Sequence, residues 1–306
     1  MDDRSIHGYT IVGKWVNGTR GVVAYATKNG KKYSLKKYTN YISPTYDGMY
    51  DEKTLRIKKE EFNSFVETRM KIIDKLSSVR SCADNIIFPF EGFVEGSFYY
   101  EAIEAFDTVV CNGEADEMSK SLTNNQIKTI MISLAKAVTD IHSTETIIGT
   151  LTNDSVVFVR NESGIVLPKL IAFEECFFVN ELYCSPELAE YSDCEDEEER
   201  LELIKKITYK TDIFSLGVVF HYYLSGEFPQ AVKLTERMER RKIVKERAGR
   251  TAVFYPHVIV SNGCELKLSD KITSVNVRML LLDMMNGDPD KRPTAMQVLS
   301  KLKTIS

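Results

Sequence analysis

The spacing of apolar residues changes once along this 306-residue chain, and that change limits the fold more than any other feature. Near the start, short β-branched and aromatic runs alternate with Gly/Asn turns: Tyr9–Val16, then Asn17 to Gly21, then Val22–Ala26, then Lys28-Asn29-Gly30, then Lys32–Lys36. That alternation predicts antiparallel hairpins. Residues 38–55 are polar, with Pro44 and Gly48, and read as a loop. From Lys58 to Leu76, Phe62, Phe65, Val66, Met70, Ile72, Ile73 and Leu76 recur at helical spacing, so one long helix is expected there. Strand composition returns at 86–105, around Glu95-Gly96-Ser97.

After Asn112-Gly113 the pattern is mainly helical. Thr123 is placed to cap a helix running to about His142, with Ile127, Ile130, Met131, Leu134, Val138 and Ile141 on one face. A strand pair is predicted at Val156–Val159 and Gly164–Leu170. Asp212 to Leu224 is almost wholly apolar and predicts a buried helix; further helices are expected near 274–286 and 294–303. A sheet unit followed by a helical unit makes the fold class α+β.

Composition narrows the function. The net charge is −4, from 44 acids against 40 bases, which argues against general nucleic-acid binding. The opening Met1-Asp2-Asp3-Arg4-Ser5 is polar and does not read as a secretory signal, and no apolar run approaches the ~20 residues of a membrane span. The six cysteines form no C-x-x-C pair, so neither a zinc site nor any other metal site is expected. The expectation is an intracellular protein, cytoplasmic or nuclear, with free thiols and no membrane contact.

The motifs sharpen this. Val16-Asn17-Gly18-Thr19-Arg20-Gly21-Val22-Val23 is a glycine-containing turn between strands, and Tyr33-Ser34-Leu35-Lys36 is a strand ending in lysine. Tyr183-Cys184-Ser185-Pro186-Glu187, Asp212-Ile213-Phe214-Ser215-Leu216-Gly217, Leu224-Ser225-Gly226-Glu227-Phe228-Pro229 and Asp288-Pro289-Asp290-Lys291-Arg292-Pro293-Thr294 follow in that order. Together they resemble the eukaryotic-type protein kinase family over residues 9–303. The resemblance implies a bilobal kinase-like fold, with an N-lobe over 1–105 and a C-lobe over 106–306. It implies that Glu187 and Arg292 form a buried ion pair and that Asp212 holds the backbone of the catalytic loop. It also implies a residual nucleotide cleft. Val23, Ser34, Val157 and Ile103-Glu104-Ala105 would line an adenine slot, and Gly18, Gly21 and Lys36 would face the phosphates. The family lysine pairs with a helix glutamate. Glu67 is the slightly favoured partner of Lys36, whereas the apolar register of Ile72, Ile73 and Leu76 would put Arg69 there instead.

The departures lie at the chemistry. Aligned on Leu151 and the following strand, the family's H-R-D becomes Ile148-Gly149-Thr150, the loop lysine becomes Thr152 and the metal-binding asparagine becomes Ser155. Lys169-Leu170-Ile171-Ala172-Phe173-Glu174 stands where K-L-x-D-F-G would be, so the metal-binding aspartate becomes Ala172 and the glycine becomes Glu174. Phosphoryl transfer depends on positioning and on Mg²⁺ neutralising the phosphates. Thr150 has no carboxylate to take a proton, Ala172 has no oxygen for a metal, and Ser155 offers only a hydroxyl. Asp154 as a displaced base, and Glu174 or Glu175 as a displaced metal ligand, are the lesser readings. The chain therefore resembles a pseudokinase, requiring no cofactor and binding ATP weakly and without metal if at all. The segment from Ala172 to Glu187 is only 16 residues, leaving little room for a phosphorylation-controlled loop.

Two charge runs remain. Asp193–Arg200 holds six acids, and Lys233–Arg250 holds eight bases against three glutamates. Each reads first as a solvated face. The expected role is a regulatory or scaffolding module that meets a protein partner, an active kinase or its substrate. The basic run would contact an acidic partner or the chain's own acidic insert. The competing expectation is an unconventional enzyme on this fold, transferring a nucleotidyl or phosphoryl group with displaced catalytic residues.

Overall fold

The computed structural model describes residues 5–18, 21–38, 51–81, 83–104, 109–112, 122–160, 166–171, 179–247 and 254–305. The chain divides into two compact units, Met1–Thr108 and Val109–Ser306. The boundary expected near Ala105 falls outside the described residues.

Unit 1 is an antiparallel sheet with one long helix. β1 (Ser5–Ile6), β2 (Tyr9–Gly18), β3 (Gly21–Lys28), β4 (Lys31–Tyr38), β5 (Pro89–Glu95) and β6 (Phe98–Glu104) lie in the order β1-β2-β3-β4-β6-β5. The predicted hairpins are all present. α1 (Glu52–Ser77) connects β4 to β5 and begins six residues before the expected Lys58. Its first turns lack an apolar stripe, so periodicity cannot reveal them. They are started instead by Asp51, whose carboxylate accepts the Thr54 amide at 2.7 Å.

The strand register sorts side chains onto two faces, because directly paired residues share a face. Tyr33, Leu35, Tyr100 and Ala102 point one way and pack with Tyr9 and Phe93 into an aromatic-rich core. The opposite face carries Val23, Ser34, Lys36, Glu101 and Ile103, since Val23 pairs with Lys36, Lys36 with Glu101, and Ser34 with Ile103. α1 packs on this second face, with Phe62, Phe65 and Val66 against Tyr38 and Tyr99.

Unit 2 is mainly helical. β7 (Val109–Asn112), β8 (Val156–Arg160) and β9 (Val166–Leu170) form a small sheet in that order; β7 was not expected, being only four residues long. α2 (Asn124–His142) starts at a reciprocal capping box between Thr123 and Gln126. α3 (Pro186–Asp193), α4 (Glu197–Leu203), α5 (Tyr209–Ser225), α6 (Glu236–Arg247), α7 (Pro256–Ser261), α8 (Val275–Met284) and α9 (Ala295–Thr304) follow. α5 is the predicted buried helix: every residue from Thr211 to His221 is buried. Among the described residues, no helix is long and apolar enough to cross a membrane.

Candidate functional site

In unit 1 the site face of the sheet is organised by charge. Lys36 is 5% exposed, and its ammonium lies 4.7 Å from the centre of the Tyr38 ring. Of the two α1 residues weighed for the inward position, the slightly favoured Glu67 and Arg69, the structure turns Arg69 inward. Glu67 is exposed, whereas Arg69, two residues on and therefore about 200° around the helix, is 2% exposed. The helix presents a cation rather than an anion to the sheet. Arg69 grips Glu101 of β6 with two bonds, Nε to Oε1 at 2.7 Å and Nη2 to Oε2 at 3.0 Å. The Tyr38 hydroxyl donates to Glu101 Oε2 at 2.8 Å and the Tyr99 hydroxyl to Oε1 at 3.1 Å. The carboxylate is thus met by four donors, two strands and a helix being tied through one residue.

Burial disfavours the Arg69 cation, but the charges of Glu101, Tyr38 and Tyr99 and the Glu101 hydrogen bonds together outweigh it and hold the arginine pKa above its ordinary value. Burial, and then the Glu101 charge, push the Tyr99 phenol up. Sequence reasoning missed Glu101. The signal was a lone carboxylate between Tyr100 and Ala102 in an apolar strand, which a buried sheet tolerates only with a partner.

Gly18 and Gly21 pair with each other at the β2–β3 turn, and Thr19 and Arg20 lie outside the described residues. Gly21 has a local reason to be glycine. A Cβ there would sit 2.1 Å from the Lys37 carbonyl oxygen, so the close passage of β3 along β4 excludes a side chain. Val23, Ser34 and Ile103 share the face of Lys36, as the adenine-slot reading requires of these three. Glu104 ends β6, and Ala105 lies outside the described residues.

In unit 2 the loop after α2 is held from below by α5. Asp212, wholly buried, accepts the Ile148 amide at 2.9 Å on Oδ2 and the Gly149 amide at 2.7 Å on Oδ1, and Oδ2 also meets His142 Nε2 at 2.8 Å. Gly149 adopts φ 93°, a conformation that favours glycine and turns its amide onto the carboxylate. Ser215 Oγ accepts the Leu151 amide at 3.1 Å. The backbone of 148–151 is therefore fixed by two side chains of one buried helix.

On that fixed backbone stand the residues that the alignment sets against the family's catalytic positions. Thr150 is buried. Thr152 and Ser155 are buried and engage each other: the Thr152 amide donates to Ser155 Oγ at 3.0 Å, and the two hydroxyls are 3.3 Å apart. Asp154, the displaced-base alternative, is exposed on the turn Asn153–Ser155. Val157 is buried in β8. Ala172 and Glu174, with Glu175, lie outside the described residues.

These groups do not fit a divalent ion. Mg²⁺ asks for several hard, mostly anionic oxygens. Ser155 Oγ is already committed within its own turn, and no cluster of three His, Cys, Asp or Glu side chains exists among the described residues. Asn153 Oδ1 is buried with no hydrogen-bond partner, but one neutral carbonyl oxygen makes no metal site.

The architectural pair implied for unit 2 is present. Arg292, 1% exposed, donates from Nη1 to Glu187 Oε1 at 2.6 Å and from Nη2 to Oε2 at 2.9 Å, and Thr211 Oγ1 adds a bond at 2.9 Å. Burial pushes the Glu187 carboxyl up, but the hydrogen bonds and charge of Arg292 outweigh it and hold the pKa below its ordinary value. Next to this pair, Cys184 Sγ lies 3.5 Å from His257 Nδ1. It is not an activated thiol: burial pushes its pKa up to about 12.

Comparison with known proteins agrees with this anatomy. Residues 9–302 match the protein kinase domain family. A crystal structure of Rad53 residues 1–466 in complex with AMP-PNP superposes with a TM-score of 0.58 at 16% identity, covering 95% of this chain and 64% of that one. The chain thus spans less than two thirds of that structure. No curated protein sequence matches.

Proposed function

This chain belongs to the protein kinase family, and from that premise we propose that it is a member without phosphotransfer activity, working as a regulatory or scaffolding protein-interaction module. One observation carries the reading. Asp212 and Ser215 hold the backbone of 148–151 in place, and on the sequence alignment Thr150 is the residue of that loop set against the family's catalytic aspartate. A threonine hydroxyl cannot accept the substrate proton at neutral pH, and losing a positioned base costs ~10²–10⁴-fold in rate. The alignment that puts Ala172 and Ser155 at the metal positions removes the charge neutralisation on which phosphoryl transfer otherwise rests.

The unit 1 geometry supports the same reading. With Arg69 at the inward position of α1, the helix delivers a cation rather than the family's glutamate to the sheet, where it bonds Glu101. Nucleotide binding through Lys36 is weak and metal-independent on this account. The work of the molecule then falls to its surfaces, and a protein partner, an active kinase or its substrate, is the class they suit.

The test is incubation of the chain with α- and γ-labelled ATP and Mg²⁺ or Mn²⁺, alone and with generic acceptor proteins. No transfer of either label is expected. Label on any protein that disappears in Lys36→Ala overturns the proposal. A parallel thermal titration with ATP should show no Mg²⁺-dependent stabilisation at micromolar nucleotide.

A further inference from the structure

Two exposed helices of unit 2 carry opposite charge in the same arrangement, and neither is neutralised among the described residues. α6 holds six cations and three glutamates in its 12 residues, and Met238 is its only buried residue. Among the described residues, Arg240 is the one α6 cation with an ion pair, to Glu236 at 3.3 Å on the fully solvated face. Asp193–Glu202, which includes most of α4, holds seven acids against Arg200 alone. Of these, Glu202 pairs with its neighbour Lys205, while Glu195, Glu197, Glu198 and Glu199 make no ion pair among the described residues. Among the described residues, the basic run and the acidic insert therefore form no ion pair with each other.

Both helices also expose apolar side chains amid that charge. On α4, Leu201 is 61% exposed, with Glu197 and Glu198 one turn before it and Ile204 one turn after. On α6, Val244 is 67% exposed beside Ile243, with Arg240 and Arg241 one turn before it and Arg247 one turn after. Residues three and four apart lie on one helix face. Each helix thus presents two like charges followed by an apolar knob, with opposite sign on the two helices. Laid side by side in parallel, Leu201 meets Val244 while Glu197 and Glu198 meet Arg240 and Arg241.

We infer that α6 is a docking surface for the α4 segment of a second copy of this chain. The near-neutral whole, at −4, disfavours a polyanionic nucleic acid as the occupant, and the matched apolar knobs suit a protein helix. Oppositely charged, complementary patches speed encounter and fix register. A single helix-on-helix contact lies at the low end of interface sizes, so the association is weak and salt-sensitive.

The experiment is sedimentation of the full chain at about 100 µM, where the Debye length is ~30 Å in 0.01 M salt and ~3 Å in 1 M. The weight-average mass should exceed the 34.9 kDa monomer at low salt and return to it at high salt. Arg240→Glu with Arg241→Glu should be monomeric at both salts, as should Glu197→Arg with Glu198→Arg. Mixing these two variants restores complementary pairs and should restore association at low salt. All four positions are exposed, and circular dichroism checks that each variant is folded. A monomer at low salt overturns the inference, as does association unchanged by either double substitution. A monomer that binds a nucleic-acid duplex through Arg240 and Arg241 also overturns it. Sedimentation reports mass and label transfer reports chemistry, so this inference and the proposed loss of catalysis fail separately.

Discussion

Each unit is pinned by one buried arginine–carboxylate pair, and the two pairs differ in how completely they are built. In unit 2, Arg292 spends all its nitrogens. Besides Glu187 it donates from Nε to the Asn286 carbonyl at 2.7 Å, from Nη1 to the Lys210 carbonyl at 3.0 Å and from Nη2 to the Gly287 carbonyl at 3.4 Å. In unit 1, Arg69 bonds Glu101 through Nε and Nη2 and leaves Nη1 buried with no hydrogen-bond partner. The carboxylates compare the other way: Glu187 has one hydroxyl donor besides arginine, and Glu101 has two tyrosines. The first pair is a complete cross-link between segments more than a hundred residues apart. The second is a carboxylate with surplus donors, and so depends less on its arginine.

The largest effect should follow from breaking the complete pair. Arg292→Met leaves Glu187 buried and unpaired, and should cost about 3–5 kcal/mol, seen as a lowered denaturant midpoint or an insoluble chain. Arg292→Met combined with Glu187→Leu should be more stable than either single variant, because no stranded charge is left. Arg69→Met should cost less, about 2–3 kcal/mol, since Tyr38 and Tyr99 still hold Glu101. A loss as large as that of Arg292→Met would erase the distinction drawn between the pairs. Folded yield and urea midpoints of the two single variants decide it.

The smallest effect is a pH dependence. The Glu187 carboxyl has a lowered pKa in the fold, so its contribution is complete above the unfolded value of ~4.3 and is lost as pH falls through the lowered folded value. The urea midpoint should therefore fall between about pH 5 and pH 3. In Glu187→Gln the midpoint starts lower and that fall is shallower. An equally steep fall would mean that other carboxylates carry the acid limb.

Much of the fold was legible because it rests on local chemistry. Hairpins around Asn29-Gly30 and Gly96, the Thr123 cap and the wholly apolar stretch of α5 are each decided within a few residues. The start of α1 was missed because a cap, not an apolar stripe, begins it. The landmarks Asp212, Glu187 and Arg292 were readable as motifs. Lys36 was readable as a strand lysine, but its surroundings were not. Choosing between Glu67 and Arg69 requires knowing which face of α1 meets the sheet, and two residues of rotation reverse the sign of the charge delivered there.

The amino-acid sequence by itself therefore determined the order of elements and the family landmarks Asp212, Glu187 and Arg292, because both are properties of residue type at a given position. Only the tertiary structure decided that the helix cation and the strand carboxylate answer each other. Arg69 and Glu101 are 32 residues apart, and a buried charge takes its meaning from the partner that burial brings to it.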